Sequence, residues 1–482
     1  MSKNKSENRN WLRVRKFFND IHLWGGLVSG IVVFIVCITG TIYVYNTEIR
    51  EAASPEYYNV EPSGEPLQLD TLLALAKTSI QGEIRGVNVP FSKTTTFGVL
   101  YSKAAKDAKG SGEQKRGDKQ RALVALAQRD SAGSQMQHSG SLVDKNVKVR
   151  SEKVTLQDRQ TEKSDKSEQK AQLKSDAPKE AKKGGGRRRL NQMMVNPYTG
   201  EMIGDVTEVK TRTAEFMQKM FSLHRWLMLN EIENPIFDGV ENRKLGSWIS
   251  GTATLLFLLG VVSGLIIWFP KKLRGWKNGL KIRWSGNWKR INHDIHNTLG
   301  LYTWVVLFLM AITGPFWSFD WYREGWQKSW GTHASQKVEQ NEKAKPLSQV
   351  IPGKATLTLT ETVFAVNQAL PYNGDITINF ATDSVGTISV SKNRVGFFAP
   401  AASDKLILDQ YTGEVLESDI FREKPLRERI GSSIKALHVG NVYGQFSKIL
   451  YFIGCLVATS LPITGVLIWI NKMKKPLKRK KK

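Results

Sequence analysis

Four stretches of this chain contain no Asp, Glu, Lys or Arg and are apolar almost throughout: Ile21 to Val44, Gly246 to Phe269, Leu299 to Ser318 and Ile449 to Ile470. Each reaches the roughly 20 residues a helix needs to cross about 30 Å of hydrocarbon, so the pattern predicts four transmembrane helices. In the long connections between them the periodicity changes. Thr71 to Thr78 and Leu359 to Ala369 have helical spacing, whereas Ile376, Ile378 and Phe380, followed by Thr387, Ser389 and Ser391, alternate like the two strands of a hairpin. A small α+β unit is predicted in each connection.

One segment has neither period. From Ser102 to Pro197 there is no Phe, Trp or Tyr, and Lys, Arg, Ser, Gln, Glu and Gly dominate. Such a stretch buries too little apolar surface to offset the entropy of ordering it, so 102–190 is expected to be a disordered basic insert. It falls at a hairpin tip, between a strand near Phe97 to Tyr101 and one near Gln192 to Val195.

The net charge of +26 is carried by that insert and by three clusters flanking the apolar stretches. These are Arg13, Arg15 and Lys16; the run from Lys271 to Arg290; and the tail from Lys472 to Lys482. The positive-inside rule places all three in the cytoplasm. The expected order is a cytoplasmic N-terminus (1–20), helix 21–44, an outer domain (45–245), helix 246–269, a basic cytoplasmic loop (270–298), helix 299–318, a second outer domain (319–448), helix 449–470 and a basic tail (471–482). The partner implied is a lipid bilayer and not a nucleic acid. The first apolar stretch is too long for a signal-peptide core and no small-residue cleavage site follows it, so it is read as a retained helix. Cys37 and Cys455 both lie in apolar stretches, which leaves no disulfide framework.

The chain reads as one unit used twice. Ile38, Thr39, Gly40 in the first apolar stretch match Ile312, Thr313, Gly314 in the third. Tyr198, Thr199, Gly200, Glu201 match Tyr411, Thr412, Gly413, Glu414, with both glycines expected at positive φ in a turn between strands. Leu223, His224 match Leu437, His438, and Ser263, Gly264 match Thr464, Gly465. Several matches in one order indicate an internal duplication of helix, outer domain, helix.

Histidines fall at the ends of these units in the order inner, outer, inner, outer: His22, His224, His296 and His438. Histidine is the usual axial ligand of haem, and an ionisable residue at membrane depth points to function. His22 and His296 are each followed four residues later by glycine, Gly26 and Gly300, which puts a surface without a side chain beside each imidazole. The competing reading is tight helix packing, and repetition favours a ligand. His293, one turn before His296, is an alternative inner ligand, a supporting donor or a solvated residue. His138 and His333 are expected to be unligated. No Cys-x-x-Cys-His sequence is present, so haem would be b-type, and no G-x-G-x-x-G or Walker A loop opens a nucleotide domain.

With these motifs in hand, nearly the whole chain outside 102–190 resembles the PepSY-associated transmembrane family. The segment from Asn230 to Lys244, longer than its counterpart after His438, departs from the pattern. The resemblance implies a four-helix haem-binding core with two α+β PepSY-like periplasmic domains in a bacterial inner membrane. It also implies an iron-regulated, haem-dependent ferric-siderophore reductase. The expectation is two b haems, the inner held by His22 and His296 and the outer by His224 and His438. Electrons from a cytoplasmic flavoprotein or from quinol would reduce an Fe(III)-siderophore or other Fe(III) chelate outside. Two other readings are a non-enzymatic anchor whose outer domains bind or restrain a periplasmic partner, and an iron-chelate transporter. The absence of charge at mid-membrane weighs against transport.

Overall fold

A computed structural model describes residues 3–103, 190–269, 273–332 and 346–474. The insert expected over 102–190, apart from its edges, lies outside the described residues, as do His138, His333, Lys271, Lys272 and the tail beyond 474.

The helices used below are α1 (Lys3–Tyr43), α2 (Leu69–Ser79), α3 (Arg212–Trp226), α4 (Asn242–Trp268), α5 (Trp288–Tyr302), α6 (Trp304–Thr313), α7 (Leu359–Ala369), α8 (Ile434–Val439) and α9 (Gly444–Met473). Among the described residues, three helical segments are long and apolar enough to cross a membrane: Arg13–Tyr43, Asn242–Trp268 and Gly444–Met473. A fourth crossing is possible if the pair Trp288–Tyr302 and Trp304–Trp317, bent by 68°, is one span. The third predicted helix is therefore broken at Thr303. The Thr303 hydroxyl donates to the Leu299 carbonyl at 2.8 Å, and the Thr303 amide donates to the same oxygen at 3.0 Å. A side chain inserted into the helical ladder is one of the recognised causes of a sharp bend.

The first and third helices also start earlier than the apolar stretches do, because backbone hydrogen bonding continues through the polar turns before Ile21 and Leu299. His22 and His296 therefore sit inside their spans and not at the ends. α1 packs along α4 and α9, and Val33, Cys37, Ala253, Val261, Leu307 and Ala458 form a buried seam among the membrane helices.

Among the described residues the strands are β1 (Gly82–Val89), β2 (Phe97–Lys103), β3 (Asn191–Val195), β4 (Met202–Asp205), β5 (Gly374–Asn379), β6 (Thr387–Arg394), β7 (Ser403–Asp409) and β8 (Val415–Asp419). They form one sheet in the order β4-β3-β2-β1-β5-β6-β7-β8, so the two predicted α+β units are fused rather than separate. The seam is the antiparallel pair β1 and β5, with Val87 opposite Ile378 and both fully buried. Alternation explains the burial: β5 hides Ile376 and Ile378 and exposes Asp375 and Thr377 less or more in turn with them.

α2 and α7 cover the same core, contributing Leu72, Leu73 and Ala76 from one and Leu359 and Val366 from the other. The halves also cap one another. Asp70 of α2 accepts from the Leu359 amide at 2.7 Å, next to a capping box formed by Thr358 and Glu361 at the start of α7.

The two Tyr-Thr-Gly-Glu runs form matching turns. Asn196 accepts from the Tyr198 amide at 2.9 Å, and Asp409 accepts from the Tyr411 amide at 2.8 Å. Gly200 and Gly413 take φ of 75° and 74°, the left-handed conformation expected of them.

Candidate functional site

Four helix segments carry the histidines: α1 has His22, α3 has His224, α5 has His296 and α8 has His438. Helices α3 and α8 are not spans. Each ends in a left-handed residue shortly after its histidine, Leu227 at φ 53° and Gly440 at φ 79°, which turns the chain back toward the next span.

The histidines meet in two pairs, each taking one member from each half of the chain. The ring centroids of His22 and His296 are 6.1 Å apart, and those of His224 and His438 are 6.2 Å apart. A bond from a metal to an imidazole nitrogen is about 2 Å long. Adding the half-width of a ring on either side, two imidazoles on opposite faces of one ion place their centroids about 6 Å apart.

Each ring is held by the same device. The His22 Nδ1 lies 2.9 Å from the Gly260 carbonyl and 3.3 Å from Ser263 Oγ. The His224 Nδ1 lies 2.9 Å from the Val36 carbonyl and 3.4 Å from Thr39 Oγ1. The His296 Nδ1 lies 2.8 Å from Thr464 Oγ1, and the His438 Nδ1 lies 3.1 Å from Thr313 Oγ1.

All four hydroxyls already donate backwards to their own helix: Ser263 to Leu259 at 2.6 Å, Thr39 to Ile35 at 2.7 Å, Thr464 to Ser460 at 2.9 Å and Thr313 to Leu309 at 2.6 Å. Each hydroxyl oxygen can then only accept from the imidazole. The proton is thereby fixed on Nδ1, and the Nε2 lone pair is free for a ligand bond.

A glycine follows each hydroxyl residue. A Cβ built on Gly40 would come 3.0 Å from His224 Cε1, one on Gly264 3.2 Å from His22 Cε1, one on Gly465 3.5 Å from His296 Cε1 and one on Gly314 3.6 Å from His438 Cε1. The repeated Ser/Thr-Gly pairs, legible in the sequence only as matching helix ends, are thus the seats of the four rings. The signal that identifies them is their number, one pair for each histidine.

The surroundings differ between the pairs. The His22–His296 pair, at the end of the bundle near Arg15, faces a cavity of about 340 Å³ between α1, α4, α5 and α9. Gly26 and Gly300 line it, and a Cβ on Gly26 would meet nothing within 4 Å. His293 also lines this cavity, but its side chain is 56% exposed and lies 3.5 Å from Asp294, outside the ring pair. At the sheet end, burial lowers the affinity of His224 for a proton, and the neighbouring Arg225 adds to the effect. Burial and the adjacent His224 push His438 down to about 3, so both rings are neutral at physiological pH. Trp317 packs on His438 at 5.0 Å between centroids.

Among the described residues no group of three or more His, Cys, Asp or Glu is placed to hold a metal ion. Two neutral imidazoles per site suit a metal centre that brings its own remaining donors.

A family model for the PepSY-associated TM region matches residues 20–472, and the chain belongs to that family. Its candidate spans and this membership make it a multi-pass membrane protein. No curated protein matches the chain.

Proposed function

We propose that this member of the PepSY-associated transmembrane family is a di-haem b electron-transfer protein of the bacterial inner membrane. In this reading it reduces an Fe(III)-siderophore or related Fe(III) chelate on the outer side and so releases the iron. The observation that carries the reading is the repeated seat: four imidazoles with Nδ1 committed to donation, paired at 6.1 and 6.2 Å, a separation at which each pair could hold one ion. A porphyrin would supply the donors that the protein lacks and, when bound, a one-electron Fe(III)/Fe(II) couple at each pair.

The protein's own part is placement. His22 and His296 hold the inner centre, with the bare surfaces of Gly26 and Gly300 admitting a flat macrocycle. His224 and His438 hold the outer centre. The basic flanks Arg13, Arg15, Lys16 and Lys472 support an orientation with the first pair toward the cytoplasm, where a flavoprotein or quinol would supply electrons, and the sheet outside. Reduction favours release because oxygen-donor chelators hold the harder Fe(III) more tightly than Fe(II).

Detergent-purified protein from haem-replete cells is expected to give a b-type spectrum and close to two haems per chain by pyridine haemochrome. A colourless preparation overturns the proposal.

A further inference from the structure

A second cavity, of about 490 Å³, opens at the sheet end behind Trp317. Its wall carries three cations, Arg225, Arg243 and Lys244, and among the described residues none of them forms an ion pair. Aromatic faces hold them instead. Arg243 lies 4.3 Å over Trp226, Arg225 lies 5.3 Å from the same ring and Lys244 lies 5.2 Å over Trp248.

Two carboxylates share the wall, but Asp320 is engaged by Arg323 at 2.6 Å, which leaves Glu241 against three positive groups. The Nε of Arg225 is buried with no hydrogen-bond partner, a cost that an incoming acceptor would remove.

Two residues of the cavity wall neighbour the outer histidine pair. Arg225 directly follows His224, and Trp317 stands 5.0 Å from His438. The wall is pinned by the Ser247 hydroxyl, which donates to Ser318 Oγ at 3.3 Å. Gly251 lets the 318–319 segment pack close, since a Cβ there would lie 2.5 Å from Ser318 Cβ.

We infer that this cavity is a docking site for an anionic metal chelate, whose negative oxygens pair with Arg225, Arg243 and Lys244 while its flat ligand rings lie on Trp317 and the exposed Trp321. The inference rests on the reductase reading, names its substrate class as anionic rather than cationic chelates, and brings the chelate to the tryptophan that touches His438. An anionic lipid headgroup offers the same oxygen chemistry, and the test separates the two sources.

The probe is a Ga(III) tris-catecholate, which carries the charge of its Fe(III) counterpart and is not reduced. It is titrated against the intrinsic tryptophan fluorescence of the full-length protein in phosphatidylcholine nanodiscs. Saturable quenching is expected, weakened by added salt, and about tenfold or more weaker in the double variant Arg225→Gln, Arg243→Gln. Lys424→Gln, in the ion pair with Asp419 away from the cavity, should leave it unchanged. A Ga(III) trihydroxamate bearing a pendant ammonium should bind at least about tenfold more weakly than the anionic probe.

Equal binding of the two probes overturns the inference even if the double variant fails to fold. So does the absence of saturable binding, undiminished binding by a folded double variant, or a quench produced only by phosphatidylglycerol with which the chelate does not compete. Because Ga(III) binding needs no electron, a red protein indifferent to the probe overturns this site alone. A colourless protein that binds it overturns the di-haem reading alone.

Discussion

At one end of the bundle the rings of His22 and His296 stand at 88° to each other and face a cavity of about 340 Å³; at the other, His224 and His438 are tilted by 57°, with Trp317 against one of them. Yet each ring hangs from a back-bonded hydroxyl beside a glycine. Two separate properties are therefore built by separate residues. The hydroxyl and glycine set how a ring points and which nitrogen is free, while the neighbours on other helices set what can approach it.

The strongest way to break this comparison is to remove the rings. His22→Ala and His296→Ala should each abolish one and the same haem, about half of the total haem content, and His224→Ala and His438→Ala the other, read by pyridine haemochrome and low-temperature spectra. His293→Ala should keep both. If His22→Ala and His224→Ala deplete the same spectral component, the ligands pair within each half of the chain and the two-ended description is wrong.

A smaller effect should come from the seats. Gly40→Ala places a methyl 3.0 Å from His224, whereas Gly465→Ala leaves 3.5 Å to His296. The former should weaken outer-haem retention by about tenfold or more and the latter should be nearly silent, as measured by haem loss to an apo-globin acceptor. Equal losses would mean that the clearance beside a ring does not decide how firmly it is seated.

The smallest effect should come from the hydroxyls. Thr464→Val removes the acceptor 2.8 Å from His296 Nδ1. An imidazole that donates a hydrogen bond is the more basic ligand and favours Fe(III), so its loss should raise the midpoint potential of the inner haem while the outer one stays put in a redox titration. A fall in that potential, or a shift in the other haem, would sink the argument.

Much of this architecture is legible in residue patterns. Charge-free stretches locate the spans, the Tyr-Thr-Gly-Glu runs locate two turns, and the order of matches in the two halves foretells which histidines meet. Other features are hidden for physical reasons. Hydropathy over Leu299 to Ser318 measures transfer into lipid and is blind to the bend at Thr303, where no proline or glycine marks the break. Nor does alternation in β1 or β5 say which strand lies alongside, so two α+β units were expected where Val87 and Ile378 join them. The role of Thr39, Ser263, Thr313 and Thr464 is hidden because a hydroxyl back-bonded to its own helix looks like ordinary packing until a ring from another helix is seen against it.

The β1–β5 seam also bears on how the chain is made. Gly86 pairs with Asn379, about 290 residues later, and a ribosome adding roughly 5 to 20 residues per second needs about 15 to 60 seconds to supply that partner. For that interval β1 is a bare strand edge, open to any passing strand, while two further apolar segments enter the bilayer. Neither imidazole pair can close before the second half of the chain arrives. A ribosome stalled anywhere before residue 374 would release a product with its adhesive edge uncovered, without His438 and without the Thr464 hydroxyl that seats His296.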